Sequence, residues 1–405
     1  MNTQHAVYPD LEGKAVLISG GALSMLVASG GAQAAGLTSE HKPFGKTNDG
    51  TAVEQYVLRN SHGMQATVIT YGGVLQSLKV PDKHGKLDDV VLGFDDVQGY
   101  QSGTAFFGAT IGRFGNRLAG GAFELDGKRY QVPLNDGPNS LHGGAQGFDK
   151  HVWKATPVKA KDSVGVTLTY LSKDGEMGFP GNLKTEVTYR LTDTNELHID
   201  YTATTDKPTV LNLTNHSYFN LAGAGNGDIL KQVATLHASH YTPVNATLIP
   251  TGELAPVKGT PMDFLKPTPI GQHIKDDHPQ LKFAEPKQGG FDFNWALDNK
   301  GDVKQLAAEV HDPESGRRLQ LFTTEPGVQF YTSNFLDGSV KGKAGKTYLH
   351  WSGFTLETQH FPDAPNQPKF VSTRLNPGQT YTQNTVLKYD QMWERACSRR
   401  RSVSQ

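Results

Sequence analysis

An all-β sandwich of antiparallel strands is the fold the sequence predicts, and three observations predict it. Beyond residue 45, run after run alternates apolar and polar side chains with a period of two. Short clusters of Asp, Asn, Gly and Pro punctuate the runs where turns are needed. Helical periodicity is scarce and short, and no repeat at a fixed period stands out. Strand after strand with few helices leaves a sandwich or a barrel, here one large antiparallel β domain spanning residues 40–390.

Taken in order, the chain starts with a segment unlike the rest. Lys14 precedes a mostly apolar stretch from Ala15 to Ala28, and Gly30-Gly31-Ala32-Gln33-Ala34 follows. This has the shape of a secretory signal spanning 1–34, with a small-residue cut site after Ala34, and it predicts a periplasmic or secreted protein. The apolar run is too short to span a membrane. Asp10 and Glu12 depart from the signal pattern, and so does Gly20-Gly21. The rival is a buried strand from Ala15 to Ser19 entering a Gly-Gly turn, in a cytoplasmic protein.

The strand pattern then takes over. Val164, Val166, Leu168 and Tyr170 alternate with small or polar residues, as do Leu183, Thr185, Val187, Tyr189 and Leu191. Leu197, Ile199, Tyr201 and Ala203 keep the same rhythm. Each run offers one face to a core and one to solvent. Turns are expected at Asp126-Gly127, Asp136-Gly137-Pro138-Asn139, Asp174-Gly175 and Asn376-Pro377-Gly378. Residues 391–405, with Arg399-Arg400-Arg401, are expected to form a disordered basic tail.

Composition narrows the function classes. With 39 basic and 40 acidic residues the chain has no basic field for nucleic acid or an anionic membrane, so neither is expected as a partner. Cys397 is the single cysteine, which rules out an intramolecular disulfide and any cysteine metal cluster. The 15 histidines include no zinc-helix pattern, and no metal or cofactor is expected. A glycine-lysine run at Gly342-Lys343-Ala344-Gly345-Lys346-Thr347 mimics a phosphate loop, but Val340 stands where its first glycine belongs. A hairpin loop is the expectation there.

Four segments concentrate polar residues beyond what a core needs. Gly112-Arg113-Phe114-Gly115-Asn116-Arg117 presents a fork of donors suited to sugar hydroxyls, or else a surface turn with a structural ion pair. Asn139-Ser140-Leu141-His142-Gly143-Gly144 brings His142 to a ligand, or holds it as hydrogen-bonded structure. Asn212 to Leu221 packs Asn, His, Ser and Tyr together, which requires either a cross-strand network or a site lining. In Ser352 to Gln359, Glu357 sits within an apolar strand and must be paired, hydrogen-bonded or shifted in pKa. Asp263 and Gln329 are lesser candidates, in Gly259-Thr260-Pro261-Met262-Asp263-Phe264 and Pro326-Gly327-Val328-Gln329-Phe330-Tyr331.

In order, these segments resemble the aldose 1-epimerase (galactose mutarotase) family from about Pro43 to Tyr389. Further anchors are Gly147 to Lys150, Thr247 to Gly252, Gly290-Phe291-Asp292-Phe293-Asn294, Gly327 to Asn334, and Asn366-Gln367-Pro368. The resemblance implies a galactose mutarotase-like β-supersandwich that binds a free hexose, galactose or glucose, in an open cleft, as a monomer or homodimer. It implies His216 as general acid and Glu357 as general base. It implies Asn116, Arg117, His142, Tyr218, Asp263 and Gln329 as the residues holding the sugar. For these roles Glu357 is expected to be ionised and His216 protonated in the free enzyme. Two other classes are weighed on the same scaffold: a non-catalytic sugar-binding protein, and a glycosidase or lyase.

Overall fold

The computed structural model describes residues 36–391, with the exception of 104 and 286. The expected export segment at 1–34, and the basic tail beyond Gln391, lie outside the described residues. The first strand, Thr38–Lys46, begins just ahead of the expected boundary at 40. Nearly all its side chains are exposed, so it lacks the apolar alternation that marks the other strands.

Among the described residues three large antiparallel sheets carry the fold, of five, nine and six strands. In the nine-stranded sheet, Ser163–Ser172, Leu183–Thr192 and Glu196–Thr205 lie side by side as the alternation predicts. Their registers set Leu168 opposite Val187 and Val187 opposite Tyr201, so the apolar members share one buried face. The C-terminal strand, Tyr381–Gln391, runs between Glu196–Thr205 and Arg317–Thr323. It therefore locks the two halves of this sheet together from the end of the chain. At Asp126-Gly127 the hairpin joins Ala122–Leu125 to Lys128–Gln131, with φ of 53° and 73° at the two turn residues, the twist that a tight two-residue hairpin demands. The α-helices among the described residues are two short ones, Val97–Ser102 and Pro279–Ala284, and no described helix is long and apolar enough to cross a membrane. The glycine-lysine run closes a hairpin bridged at Lys341 and Thr347, and Lys343 Nζ donates to Asp89 at 2.8 Å.

The six-stranded sheet positions the site. Its order is Tyr218–Phe219, Phe354–Gln359, Gly327–Tyr331, Asp292–Ala296, His240–Thr242 and Ala255–Pro256. One face carries Phe219, Phe293, Trp295, Val328, Phe330, Phe354 and Leu356, all buried in the main core. Because successive side chains point to opposite faces, the intervening positions form rows on the other face. Asp292, Tyr331, Thr355 and Tyr218 make one row, and Asn294, Gln329 and Glu357 the next. Period-two alternation here separates an apolar core from a polar floor, rather than core from solvent.

Candidate active site

Two short strand pairs build the wall above this floor. Arg117–Leu118 pairs with Ser140–Leu141, which sets Asn116 and Arg117 beside His142. The His142 N–H donates to the Asn116 carbonyl and the Asn116 N–H donates to His142 Nδ1, both at 3.0 Å. Asn116 and His142 have φ of 61° and 54°, values that Asn and His tolerate better than most residues. Gly143 follows because a Cβ there would lie 2.0 Å from the Gly112 carbonyl oxygen. Opposite, the Thr214–Asn215 strand pairs with Thr110–Ile111 and delivers His216.

A cavity of ≈230 Å³ lies between wall and floor. Asn116, Arg117, His142, His216, Tyr218, Asp292, Tyr331 and Glu357 line it, with Phe106 and Phe335 toward the mouth. Larger surface grooves, ≈570 Å³ beside Arg317 and ≈710 Å³ beside Asp263, bring no buried carboxylate and imidazole together. His216 Nε2 stands 3.5 Å from Glu357 Oε1. Thr355 Oγ1 donates to the same Oε1 at 2.8 Å. Glu357 Oε2 and His216 Nδ1 are buried without a partner among the described residues.

Of the eight residues expected at the site, six line this cavity. Gln329 sits just beneath it: its side-chain amide donates to Asp292 Oδ1 at 2.8 Å, and it lies opposite Glu357 in the ladder. Asp263 is not brought to the site. Its carboxylate accepts the Leu265 N–H inside a turn, and it lines the separate groove with Lys258 and His273. The aspartate on the cavity floor beside Arg117 is instead Asp292, from Gly290-Phe291-Asp292-Phe293-Asn294, whose flanking Phe residues signal a buried strand with its acid on the opposite face. Of the two arginines in the 112–117 segment only Arg117 reaches the cavity. Arg113 is 2% exposed and spends its donors on the carbonyls of Ser172, Lys173, Pro180 and Gly181 and on Ser172 Oγ.

Arg117 bonds Asp136 through Nε at 2.7 Å and approaches Asp292 Oδ2 through Nη1 at 3.6 Å. Burial works against its charge, but the Asp292 and Asp136 carboxylates outweigh burial and hold its pKa above the usual arginine value. Burial raises Asp292 despite that partner.

The expected charge state of the central pair is reversed. Burial raises Glu357 to about 8, with the Thr355 hydrogen bond opposing the rise. Burial drops His216 to about 3. The cause is visible in the packing: the ring centroids of His142, Tyr218, Phe106 and Tyr331 lie 5.0, 5.1, 5.8 and 6.5 Å from that of His216. A buried site walled by aromatic rings disfavours the charged form of either group. Burial therefore favours the neutral form of both groups, a protonated Glu357 beside a neutral His216. The expected ion pair and this neutral pair hold the same number of protons and differ only in which of the two groups carries the shared one.

His142 is also driven well below the usual histidine value, by burial first and then by His216 and Arg117. Because its Nδ1 accepts from Asn116, the neutral ring keeps its proton on Nε2 and is a donor there. Donor atoms of His142, His216 and Glu357 lie within 4.8 Å of one another, a spacing that would suit a metal ion. Ligation through His142 Nε2 would require that ring to give up its bond to Asn116, so the set suits proton transfer and hydroxyl binding better. Phe106, whose φ of 57° is strained for a bulky residue, packs its ring 4.8 Å from His142 and closes the box. Sequence reasoning passed over Phe106, Asp292 and Thr355; only the last two carry a signal, each at an alternate position of a floor strand.

The sequence model of the aldose 1-epimerase family matches residues 54–388. Galactose mutarotase of Rattus norvegicus is 47% identical over 340 residues, covering 84% of this chain and 95% of that protein. Aldose 1-epimerase of Escherichia coli strain K12 is 37% identical over 343 residues, 84% of this chain and 96% of that one. The crystal structure of galactose 1-epimerase from Lactobacillus acidophilus superposes with a TM-score of 0.77 at 27% identity, covering 88% of this chain and 99% of that one. With the acid–base pair, the polar floor and these matches spanning the same strands, the chain belongs to the aldose 1-epimerase family.

Proposed function

We propose that this protein is an isomerase that interconverts the α and β anomers of free hexoses, galactose and glucose among them, with Glu357 and His216 exchanging the protons. The observation that carries the residue assignment is the 3.5 Å pair of a buried carboxylate and a buried imidazole in a hexose-sized cavity. Ring opening takes the proton from the anomeric hydroxyl and gives one to the ring oxygen while the bond between C1 and that oxygen breaks. Ionised Glu357 accepts the first and protonated His216 supplies the second. The products of that step are protonated Glu357 and neutral His216, the state that burial favours. Rotation about C1–C2 exposes the other face of the aldehyde, and reclosure runs both transfers backwards. Burial thus favours the products of the opening step, and the ion pair that opening requires holds the same number of protons as that neutral pair.

Arg117, His142 Nε2 and Asn116 offer donors to sugar hydroxyls, and Asp292, tied to Gln329, offers an acceptor. Tyr218 lines the cavity beside His216. A protein that only binds sugar gains nothing from displacing both pKa values, and no observation favours that reading.

Polarimetry of freshly dissolved α-D-glucose and α-D-galactose tests the assignment. Relaxation to the same final rotation at a faster rate supports it; an unchanged rate with both sugars overturns it. The pH profile follows from the single shared proton. Above about 8 the pair loses that proton and has no acid, and below about 3 it gains a second and has no base. The expected kcat/KM is level through neutrality and declines as pH passes about 8, and a decline already complete at pH 6 contradicts the raised Glu357.

Export from the cytoplasm is a separate proposal that rests on the 1–34 segment alone. Mass spectrometry of the protein from its native host checks it: a chain starting at Ala35 supports removal of the segment, and an intact Met1 rejects it.

A further inference from the structure

Thr355 is fully buried on the floor, two residues from Glu357 on the same strand face and in one row with Tyr218, Tyr331 and Asp292. Among the described residues its hydroxyl has one partner, the Glu357 Oε1 atom at 2.8 Å. A carboxylate turns easily about its last torsion, where the energy surface is broad and two-fold. With Oε1 held by Thr355 and approached by His216 Nε2, the two oxygens become distinct, and Oε2 alone is left without a partner among the described residues. When Glu357 is protonated the same bonds put the proton on Oε2, since Oε1 already accepts.

We propose that Thr355 is a positioning residue for the anomerisation, pinning Glu357 Oε1 so that Oε2 alone takes the proton from the anomeric hydroxyl and returns it. In ring opening the O1–H proton passes to Oε2, and the O1 electrons form the C1=O1 bond. The C1–ring-oxygen bond then releases its pair to the ring oxygen, which takes its proton from His216. Reclosure returns the Oε2 proton to O1. Thr355 neither gives nor takes a proton; it fixes which oxygen does. This rests on Glu357 being the base, and it explains a threonine at a position where a buried hydroxyl would otherwise favour valine.

The test compares Thr355→Val and Thr355→Ser with Glu357→Gln, reading kcat, KM and the pH profile by polarimetry on galactose. Val keeps the shape and removes the hydroxyl, and Ser keeps the hydroxyl and removes the methyl. A hydrogen bond to a charged group is worth about tenfold to a hundredfold. Thr355→Val should lose about that much in kcat with KM within about twofold. Its alkaline limb should move to higher pH, because the bond that favours ionised Glu357 is gone. Thr355→Ser should restore both. If Thr355→Val does not accumulate as folded protein, Thr355→Ala against Thr355→Ser carries the same comparison. Wild-type kcat and limb in the variant lacking the hydroxyl, or equal loss in the Ser variant, overturns the proposal even if Glu357→Gln is inactive. Full activity in Glu357→Gln removes the base assignment itself, a different failure with a different signature.

Discussion

Glu357→Gln is expected to lower kcat by ~10²–10⁴-fold, the usual contribution of a well-placed general base, while making the folded protein more stable at alkaline pH. Both effects come from burying a carboxylate among aromatic rings. Burial raises its folded pKa to about 8 from an ordinary value of 4.5. A folded pKa above the unfolded one means that stability is complete below about 4.5 and is lost progressively as pH climbs through about 8. At about 1.4 kcal/mol for each unit, the wild type gives up on the order of a few kcal/mol by the end of that window. Gln carries no charge to desolvate and keeps an oxygen that accepts from Thr355. The gain in thermal midpoint should therefore be near zero at pH 4.5 and grow to a few degrees by pH 9. Thermal scans across pH beside polarimetry check it. An inactive variant whose stability tracks the wild type at every pH keeps the role of Glu357 but denies the displaced pKa.

The same burial explains what could and could not be read from the chain. Period-two alternation exposed the strands of the nine-stranded sheet because one of their faces meets water. It missed Thr38–Lys46, whose two faces are both exposed, so there was no contrast to see. On the floor sheet the alternation has a different meaning. Phe293, Trp295, Phe330 and Leu356 face the core, and Asp292, Asn294, Gln329 and Glu357 face the cavity, all of them buried. A polar residue at an alternate position there looks like an ordinary solvent face, so Asp292 drew no expectation, while Asp263 was expected from the resemblance. Asp263 stands in a polar turn where an acid is conspicuous; Asp292 stands between phenylalanines where it is costly and therefore informative. Charge state was the least legible property. The identities of His216 and Glu357 suggest an ion pair, yet it is the ring of Phe106, Tyr218, Tyr331 and His142, gathered from distant segments, that sets the neutral pair.

Arg117→Met should combine the largest loss of stability with a steep loss of kcat/KM, and the pH dependence of the first separates it from simple packing damage. Arg117 is buried, and it is the cation held between Asp136 and Asp292. Met preserves much of the apolar stem but leaves the buried Asp292 facing Glu357, two acids in one cavity with no positive charge between them. Removing one partner of a buried pair typically costs about 3–5 kcal/mol, because the other is left uncompensated. Asp292 already lies above the usual aspartate range with Arg117 present, and without it the carboxyl is pushed higher still. Since its folded pKa exceeds its unfolded one, the penalty is absent at low pH, where Asp292 is protonated in both states, and deepens as pH rises above the unfolded value. The difference in thermal midpoint between variant and wild type should thus be small near pH 4 and large near pH 8. Adding Asp292→Asn should recover stability at pH 8 by removing the stranded charge, while activity stays low because the sugar has lost a donor and an acceptor together. A loss of stability that is equal at both pH values, and that Asp292→Asn leaves unrepaired, would place the role of Arg117 in packing instead of charge.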